Sequence, residues 1–165
     1  MMYTANQIAS WFLAYLDTNA GDTISPMKLQ KLIYYAQAFH LVQFDKPLFS
    51  DKIEAWMHGP TVPSIYERFD NEDRSGIPYK KLFDPRHPYP DVPKETEEFL
   101  EDILCKFGEH SAWFLEALSR KELPWIEARN GIASCKKCHA EITHASMKKF
   151  YSKMKYAKKP KKAKC

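Results

Sequence analysis

The sequence predicts a mainly α protein, a single compact helical domain with a minor, short β-hairpin. Apolar residues recur at helical spacing in several stretches, and most of these open on a capping residue or a proline. Strand-like runs are confined to one region, residues 48 to 57. The chain has 165 residues, 44% of them hydrophobic, with ten Phe, nine Tyr and four Trp. A chain of that size fits one domain and buries roughly two-thirds of its unfolded surface.

Thr4 and Gln7 have capping-box spacing, and Ile8, Trp11, Phe12, Tyr15 and Leu16 follow at helical intervals. A first helix is therefore expected over about 5 to 18, stopped by Asn19-Ala20-Gly21. Ser25-Pro26 is an N-cap followed by proline at the first helical position. The second helix runs to about Phe44, with Leu29, Leu32, Ile33, Ala36 and His40 on one face. Tyr34, Tyr35 and Phe39 widen that face, so this helix is expected to be central. Lys46-Pro47 breaks it, and Leu48-Phe49 and Ile53 to Met57 read as two short strands around Ser50-Asp51-Lys52. Gly59-Pro60 is expected to end the second of them, and Pro63 to begin a short helix through Phe69.

Residues 70 to 93 carry five prolines and read as an irregular surface excursion. A long helix from Lys94 to Phe107 places Phe99, Ile103 and Leu104 inward and closes at Gly108. Its early Glu95, Glu97, Glu98, Glu101 and Asp102 suit the positive end of the helix dipole. Ser111 to Leu118 forms another helix, Pro124-Trp125 opens a further turn, and Thr143 caps a last helix to about Tyr156. The domain is thus expected to span 1–157, followed by a flexible Lys-rich tail at 158–165.

The net charge of +4 hides an asymmetry. Nine lysines follow Glu141; residues 1 to 147 carry 16 Lys and Arg against 21 Asp and Glu, a net charge of −5. A basic tail on a mildly acidic body differs from a basic nucleic-acid-binding domain. No apolar run reaches the ~20 residues that span a bilayer, and the N-terminus lacks the order of a signal peptide. A cytoplasmic protein with no membrane partner is expected.

No nucleophile elbow, P-loop, dinucleotide fingerprint or zincin motif occurs, so a non-enzyme with no cofactor is expected. The string Cys135-Lys136-Lys137-Cys138-His139 has the form of covalent haem attachment, which needs an exported chain and a porphyrin pocket. Cys135, Cys138, His139 and His144 are an alternative zinc set, although a second C-x-x-C is missing. Free thiols are the plainer expectation, and redox exchange usually wants such a pair at a helix N-terminus after a strand. His40 lies on an inward helix face and suits a hydrogen-bonded core position, whereas His58 lies in a turn, where function concentrates. At least two of Trp56, Tyr66, Trp113 and Trp125 are expected to be buried.

Residues 28 to 66 are dense in aromatics and poor in catalytic side chains. Lys28-Leu29-Gln30-Lys31-Leu32-Ile33-Tyr34-Tyr35-Ala36-Gln37, Ile53-Glu54-Ala55-Trp56 and Gly59-Pro60-Thr61-Val62-Pro63 together resemble the Panacea-domain family. These are SocA-like antitoxins, also described as phage-associated GepA-like proteins. Leu123-Pro124-Trp125-Ile126-Glu127-Ala128-Arg129 is similar to a further signature of the family, and the resemblance covers about 5 to 155. The chain departs from it at Ser119-Arg120, where members often carry His after Ser or Thr, and in its CKKCH connector and lysine tail.

The resemblance implies an antitoxin that neutralises a toxin encoded beside it by forming a protein complex. The implied partner is that cognate toxin. In some members a protease or chaperone joins as well, the antitoxin acting as an adaptor. The alternative is a regulator that binds nucleic acid through its lysine tail. Partner contact is expected from Lys28, Gln30, Lys31, Tyr34, His58 and Tyr66, taken as exposed. Leu29, Leu32, Tyr35, Trp56, Gly59, Pro60, Pro63, Pro124 and Trp125 are the expected scaffold of the shared motifs.

Overall fold

The computed structural model describes residues 2–16, 22–72, 76–78 and 83–154. Along the chain these form α1 (Ala5–Ala14), α2 (Pro26–Phe44), β1 (Glu54–Trp56), β2 (Gly59–Thr61), α3 (Pro63–Phe69), α4 (Lys94–Phe107), α5 (Ala112–Lys121), α6 (Leu123–Arg129) and α7 (His144–Tyr151). The fold is mainly α, as the periodicity predicts. The lysine tail and the expected stop at 19–21 lie outside the described residues, and the last helix ends at Tyr151, short of the expected Tyr156, with Ser152 as its C-cap.

The caps at Thr4, Ser25 and Thr143 are the ones read from sequence, and Ser111, expected as the first helical residue, caps α5. Thr4 and Gln7 close a reciprocal capping box on α1, and the hydroxyls of Ser25, Ser111 and Thr143 accept the backbone N–H three residues on. Helix α5 runs three residues further than expected, to Lys121, and Pro124-Trp125 sits within a helix rather than a single turn. α1 is shorter than expected, ending at Ala14 with Tyr15 as its C-cap.

Helix α2 passes through the middle, touching α1, α3, α4, α5, α7 and β2. Every residue from Leu29 to Leu41 is buried, so it has no solvated face and its polar residues must find partners inside. His40 fills the expected role: its Nδ1 lies 2.7 Å from the Lys46 carbonyl, and burial holds its pKa below the usual imidazole value. Aromatic rings fill the space between α2, α4 and α7, with Tyr35 stacked on Phe107 at 4.2 Å and Tyr151 against Tyr34 and Phe39.

The hairpin differs from the expected one. β1 pairs antiparallel with β2 in the register Glu54↔Thr61, Ala55↔Pro60, Trp56↔Gly59, across the two-residue turn Met57-His58. Gly59-Pro60 therefore opens a strand instead of ending one. Phe49, expected in the partner strand, makes an isolated bridge to Tyr3. The other edge of β1 is covered by 140–142: Ala55 N–H donates to the Ala140 carbonyl at 2.8 Å, and Ile142 N–H to that of Ile53 at 2.8 Å. The described part of the Pro-rich excursion has neither helix nor strand. It is held by Arg68, 4.0 Å from Asp84, and by Ser10, which donates to the His87 carbonyl at 2.6 Å.

Candidate protein-interaction surface

Three polar residues expected on an outer shoulder of α2 turn inward. Gln30 holds both backbone groups of one residue: its Nε2 donates to the Val62 carbonyl at 3.0 Å and its Oε1 accepts Val62 N–H at 2.9 Å. The Lys31 ammonium, 1% exposed, donates to the Pro60 carbonyl at 2.9 Å. Burial pulls its pKa down to about 7, against the upward pull of the Glu116 carboxylate. Tyr34 is fully buried with its hydroxyl 3.1 Å from that of Tyr151. The expectation that Gln30, Lys31 and Tyr34 are exposed fails because their partners, hairpin backbone for Gln30 and Lys31 and the Tyr151 hydroxyl for Tyr34, lie far along the chain, out of reach of helical periodicity.

Gln37 works the same way one segment earlier. Its Nε2 donates to the Phe49 carbonyl at 3.0 Å and its Oε1 accepts Leu48 N–H at 2.8 Å. Gly59 completes the arrangement. It adopts φ +94°, and a Cβ there would stand 2.9 Å from Ser119 Oγ and 3.1 Å from Lys31 Nζ. The two linked motifs are thus the two halves of one joint, helix side chains below and hairpin backbone above.

Beneath the junction of α5 and α6 sits a buried carboxylate. Glu122, 6% exposed, accepts hydrogen bonds from the hydroxyls of Tyr35, at 3.1 Å, and Tyr151. Burial pushes its pKa up to about 7, with the two tyrosine hydrogen bonds pulling the other way. All members of this cluster are enclosed, which fits a structural role better than a catalytic one.

On the outer side of the joint a continuous chain of contacts runs across the surface. The half-buried Trp56 donates from Nε1 to Glu54 Oε2 at 2.6 Å and packs edge-on against Tyr66 at 5.0 Å and His139 at 5.3 Å. Trp125 Nε1 donates to the Trp56 carbonyl at 2.8 Å, and the guanidiniums of Arg129 and Arg120 lie 4.7 and 5.4 Å from the Trp125 ring. Arg120 reaches Glu116 at 3.5 Å, and His58 Nδ1 lies 3.0 Å from the same carboxylate. Hairpin, α3, α5, α6 and the 139–141 segment therefore present one face.

On the same helices α5 and α6 stand exposed apolar side chains: Trp113, 76% exposed, Leu123 and Ile126. Trp113, Glu116 and Arg120 fall on one side of α5 at helical spacing, and Leu123 and Ile126 on the outer side of α6. Of Trp56, Tyr66, Trp113 and Trp125 only Trp125 is buried, fewer than expected. The exposure of Trp113 was missed, although helical spacing on α5 carries the signal. Leu115, Leu118 and Ser119 define the inward side of α5, and Trp113 lies about 200° round the helix from Leu115.

The expected contact residues now divide. His58 and the half-exposed Tyr66 stand on the surface; Lys28 is half-buried, its ammonium bonded to the Gly108 carbonyl at the end of α4. The scaffold residues Leu29, Leu32, Tyr35, Gly59, Pro60, Pro124 and Trp125 are buried, while Trp56 and Pro63 are only partly so. The zinc set is dispersed. Cys135 is exposed and Cys138 buried, His139 faces Glu54, and His144 Nε2 lies 3.2 Å from Gln37. Among the described residues no three His, Cys, Asp or Glu side chains gather into a metal site. No helix among them is long and apolar enough to cross a membrane.

The family described as "Antitoxin SocA-like, Panacea domain" matches residues 29–126. Those bounds take in α2 from Leu29 on, the hairpin, α5 and the first half of α6. A curated relative, antitoxin SocA of Caulobacter vibrioides (strain NA1000 / CB15N), is 32% identical over 118 residues, 66% of this chain. The match spans 61% of that relative's own length. No solved structure matches the chain. With the joint of α2 and the hairpin inside the matched region, the chain belongs to the SocA-like Panacea-domain family.

Proposed function

We propose that this protein is a non-enzymatic antitoxin that neutralises a protein toxin encoded beside it by binding the toxin directly. The contact face runs from Tyr66, Trp56 and His58 across α5 to Trp113, Leu123 and Ile126. The observation that carries the proposal is this face, in a member of an antitoxin family. Large aromatic side chains stand exposed beside a rim of paired charges, the composition of protein-interaction hot spots. The buried titratable groups serve packing and joint-holding, consistent with a role in binding. The expected sites at Gln30, Lys31 and Tyr34 enter only indirectly, as supports.

The test is to express the adjacent open reading frame with and without this chain, and to ask whether the two co-purify. Relief of toxicity and a stable complex are expected, with W113A and Y66A weakening both. A harmless neighbour, or one that neither binds nor is relieved, would sink the assignment. Removing residues 155–165 should leave protection intact; loss of protection with that segment would favour the nucleic-acid alternative, whose affinity falls steeply with salt.

A further inference from the structure

The Cys135-Lys136-Lys137-Cys138 connector takes no part in the proposed toxin contact, yet it is tied to the residues that shape that face. Both thiols are unpaired; Cys135 is exposed and Cys138 is 6% exposed. Lys136 N–H donates to the Ala133 carbonyl at 2.9 Å, closing a turn around Cys135. One buried guanidinium holds that turn. Arg129 Nη2 donates to the carbonyls of Ala133 and Lys136, both at 2.6 Å, one on each side of Cys135. Its Nη1 donates to the Ala55 carbonyl at 2.7 Å, and the same group lies against Trp125. On the far side of the pair, His139 follows Cys138 directly and touches Trp56 and Glu54. The connector is therefore pinned at both ends to β1 and its neighbours.

We propose that Cys135 and Cys138 are a reversible disulfide site that sets the shape of the face around Trp56 and Trp125. The oxidant is a low-molecular-weight disulfide of the glutathione class. The Cys135 thiolate attacks it, breaking its S–S bond, forming a mixed disulfide and releasing one small thiol. The Cys138 thiolate then attacks Cys135 Sγ, forming the intramolecular bond and releasing the second small thiol. Two protein thiols are oxidised, one small disulfide is reduced, and the two thiol protons leave on the two products. The exposed member is placed to meet the oxidant and the buried one to resolve the intermediate. Drawing Cys138 out toward Cys135 distorts the turn that Arg129 holds and displaces His139 from Trp56. Transient, sensing disulfides are the kind found in reducing compartments, so the chemistry is compatible with an intracellular antitoxin.

The experiment uses the full chain without a partner, equilibrated with oxidised and reduced glutathione at graded ratios, blocked with N-ethylmaleimide and digested with trypsin. Cleavage after Lys136 or Lys137 separates the two cysteines, so only a Cys135–Cys138 disulfide keeps those peptides joined. The joined pair is expected to appear with rising oxidised glutathione and to vanish with dithiothreitol. Tryptophan emission should shift in step, and C135S should lose both signals while keeping the wild-type urea midpoint. Failure to form the joined pair at any ratio, or cross-links only between molecules, overturns the site. A joined pair with tryptophan emission unchanged from C135S overturns its coupling to the face. Neither readout involves a toxin, so this proposal and the antitoxin proposal fail separately.

Discussion

Replacing Gly59 by alanine tests whether the two motifs form a single joint. At φ +94° an L side chain is strained, by roughly 1–2 kcal/mol for left-handed backbone. The added Cβ would also stand 2.9 Å from Ser119 Oγ and 3.1 Å from Lys31 Nζ. Neither neighbour yields freely. Ser119 Oγ is bonded to the Glu116 carbonyl at 3.0 Å, and Lys31 is buried with its ammonium fixed on Pro60. Overpacking of that kind adds about 1–3 kcal/mol, and the stiffer unfolded chain offsets about 0.4–1 kcal/mol. The net expectation is a loss of about 2–4 kcal/mol, a large share of the 5–15 kcal/mol typical of a domain. In urea, where m is about 1–3 kcal/mol/M for small proteins, the midpoint should fall by roughly 1–2 M with m unchanged. Adding S119A should recover about 1 kcal/mol, because it removes the nearest obstacle while leaving the backbone strain. A midpoint within ~0.3 M of wild type, or no rescue by S119A, would refute the close packing of Gly59 against α5 and α2.

Replacing Gln37 by leucine leaves the Leu48 and Phe49 peptide groups without their partner and should cost about 2–5 kcal/mol, read from the same urea midpoints. Q30E should be nearly as damaging as Q30L, since a carboxylate cannot donate to the Val62 carbonyl. Glu122 binds a proton more tightly folded than unfolded, so its stability contribution is full below about pH 4.5 and is lost as pH rises through about 7. E122Q should flatten the pH dependence of stability in that window, by up to about 3 kcal/mol. Lys31 has the opposite sign: its folded pKa is depressed, so its contribution grows as pH rises from about 7 toward 10.5. Together they place a local stability minimum near neutral pH, checked by thermal midpoints in wild type and E122Q. W113A and Y66A should leave the stability read from urea unfolding within about 0.5 kcal/mol of wild type while weakening partner capture at least tenfold.

The helices were legible in the sequence because their signals are local. Thr4, Ser25, Ser111 and Thr143 announce their helices by side-chain chemistry three residues wide, and Lys94–Phe107 emerges with both ends as expected. The hairpin was legible only in its first strand, Glu54–Trp56, which falls within the expected run 53 to 57. Its turn, Met57-His58, carries none of the Asn-Gly or Gly-X signals, and Pro60 sits in a strand where proline normally argues against one. Proline is accepted there because it has no N–H to leave unpaired and its carbonyl is taken by Lys31. The buried Gln30, Lys31 and Gln37 were hidden for a related reason. A polar side chain within a helical motif reads as solvated unless the remote backbone that needs it is known.

Burial of those polar residues separates two jobs within the shared motif, holding the joint and meeting a partner. Gln30, Lys31 and Gly59 cannot touch a partner, yet they fix the height and tilt of the hairpin that carries Trp56 and His58. On the proposed reading, partner choice falls to side chains free to change without disturbing the joint: Tyr66, Trp113, Leu123 and Ile126 are exposed and bear no backbone clamp. His58 and Arg120 stand between the two groups, because both converge on Glu116, whose carbonyl also holds Ser119 against Gly59. Joint variants should lose stability and partner binding together, and surface variants binding alone. Substitutions at His58 or Arg120 should shift the preferred partner before they unfold the domain. On the proposed reading, the frame is specified inside and recognition is left to the outside.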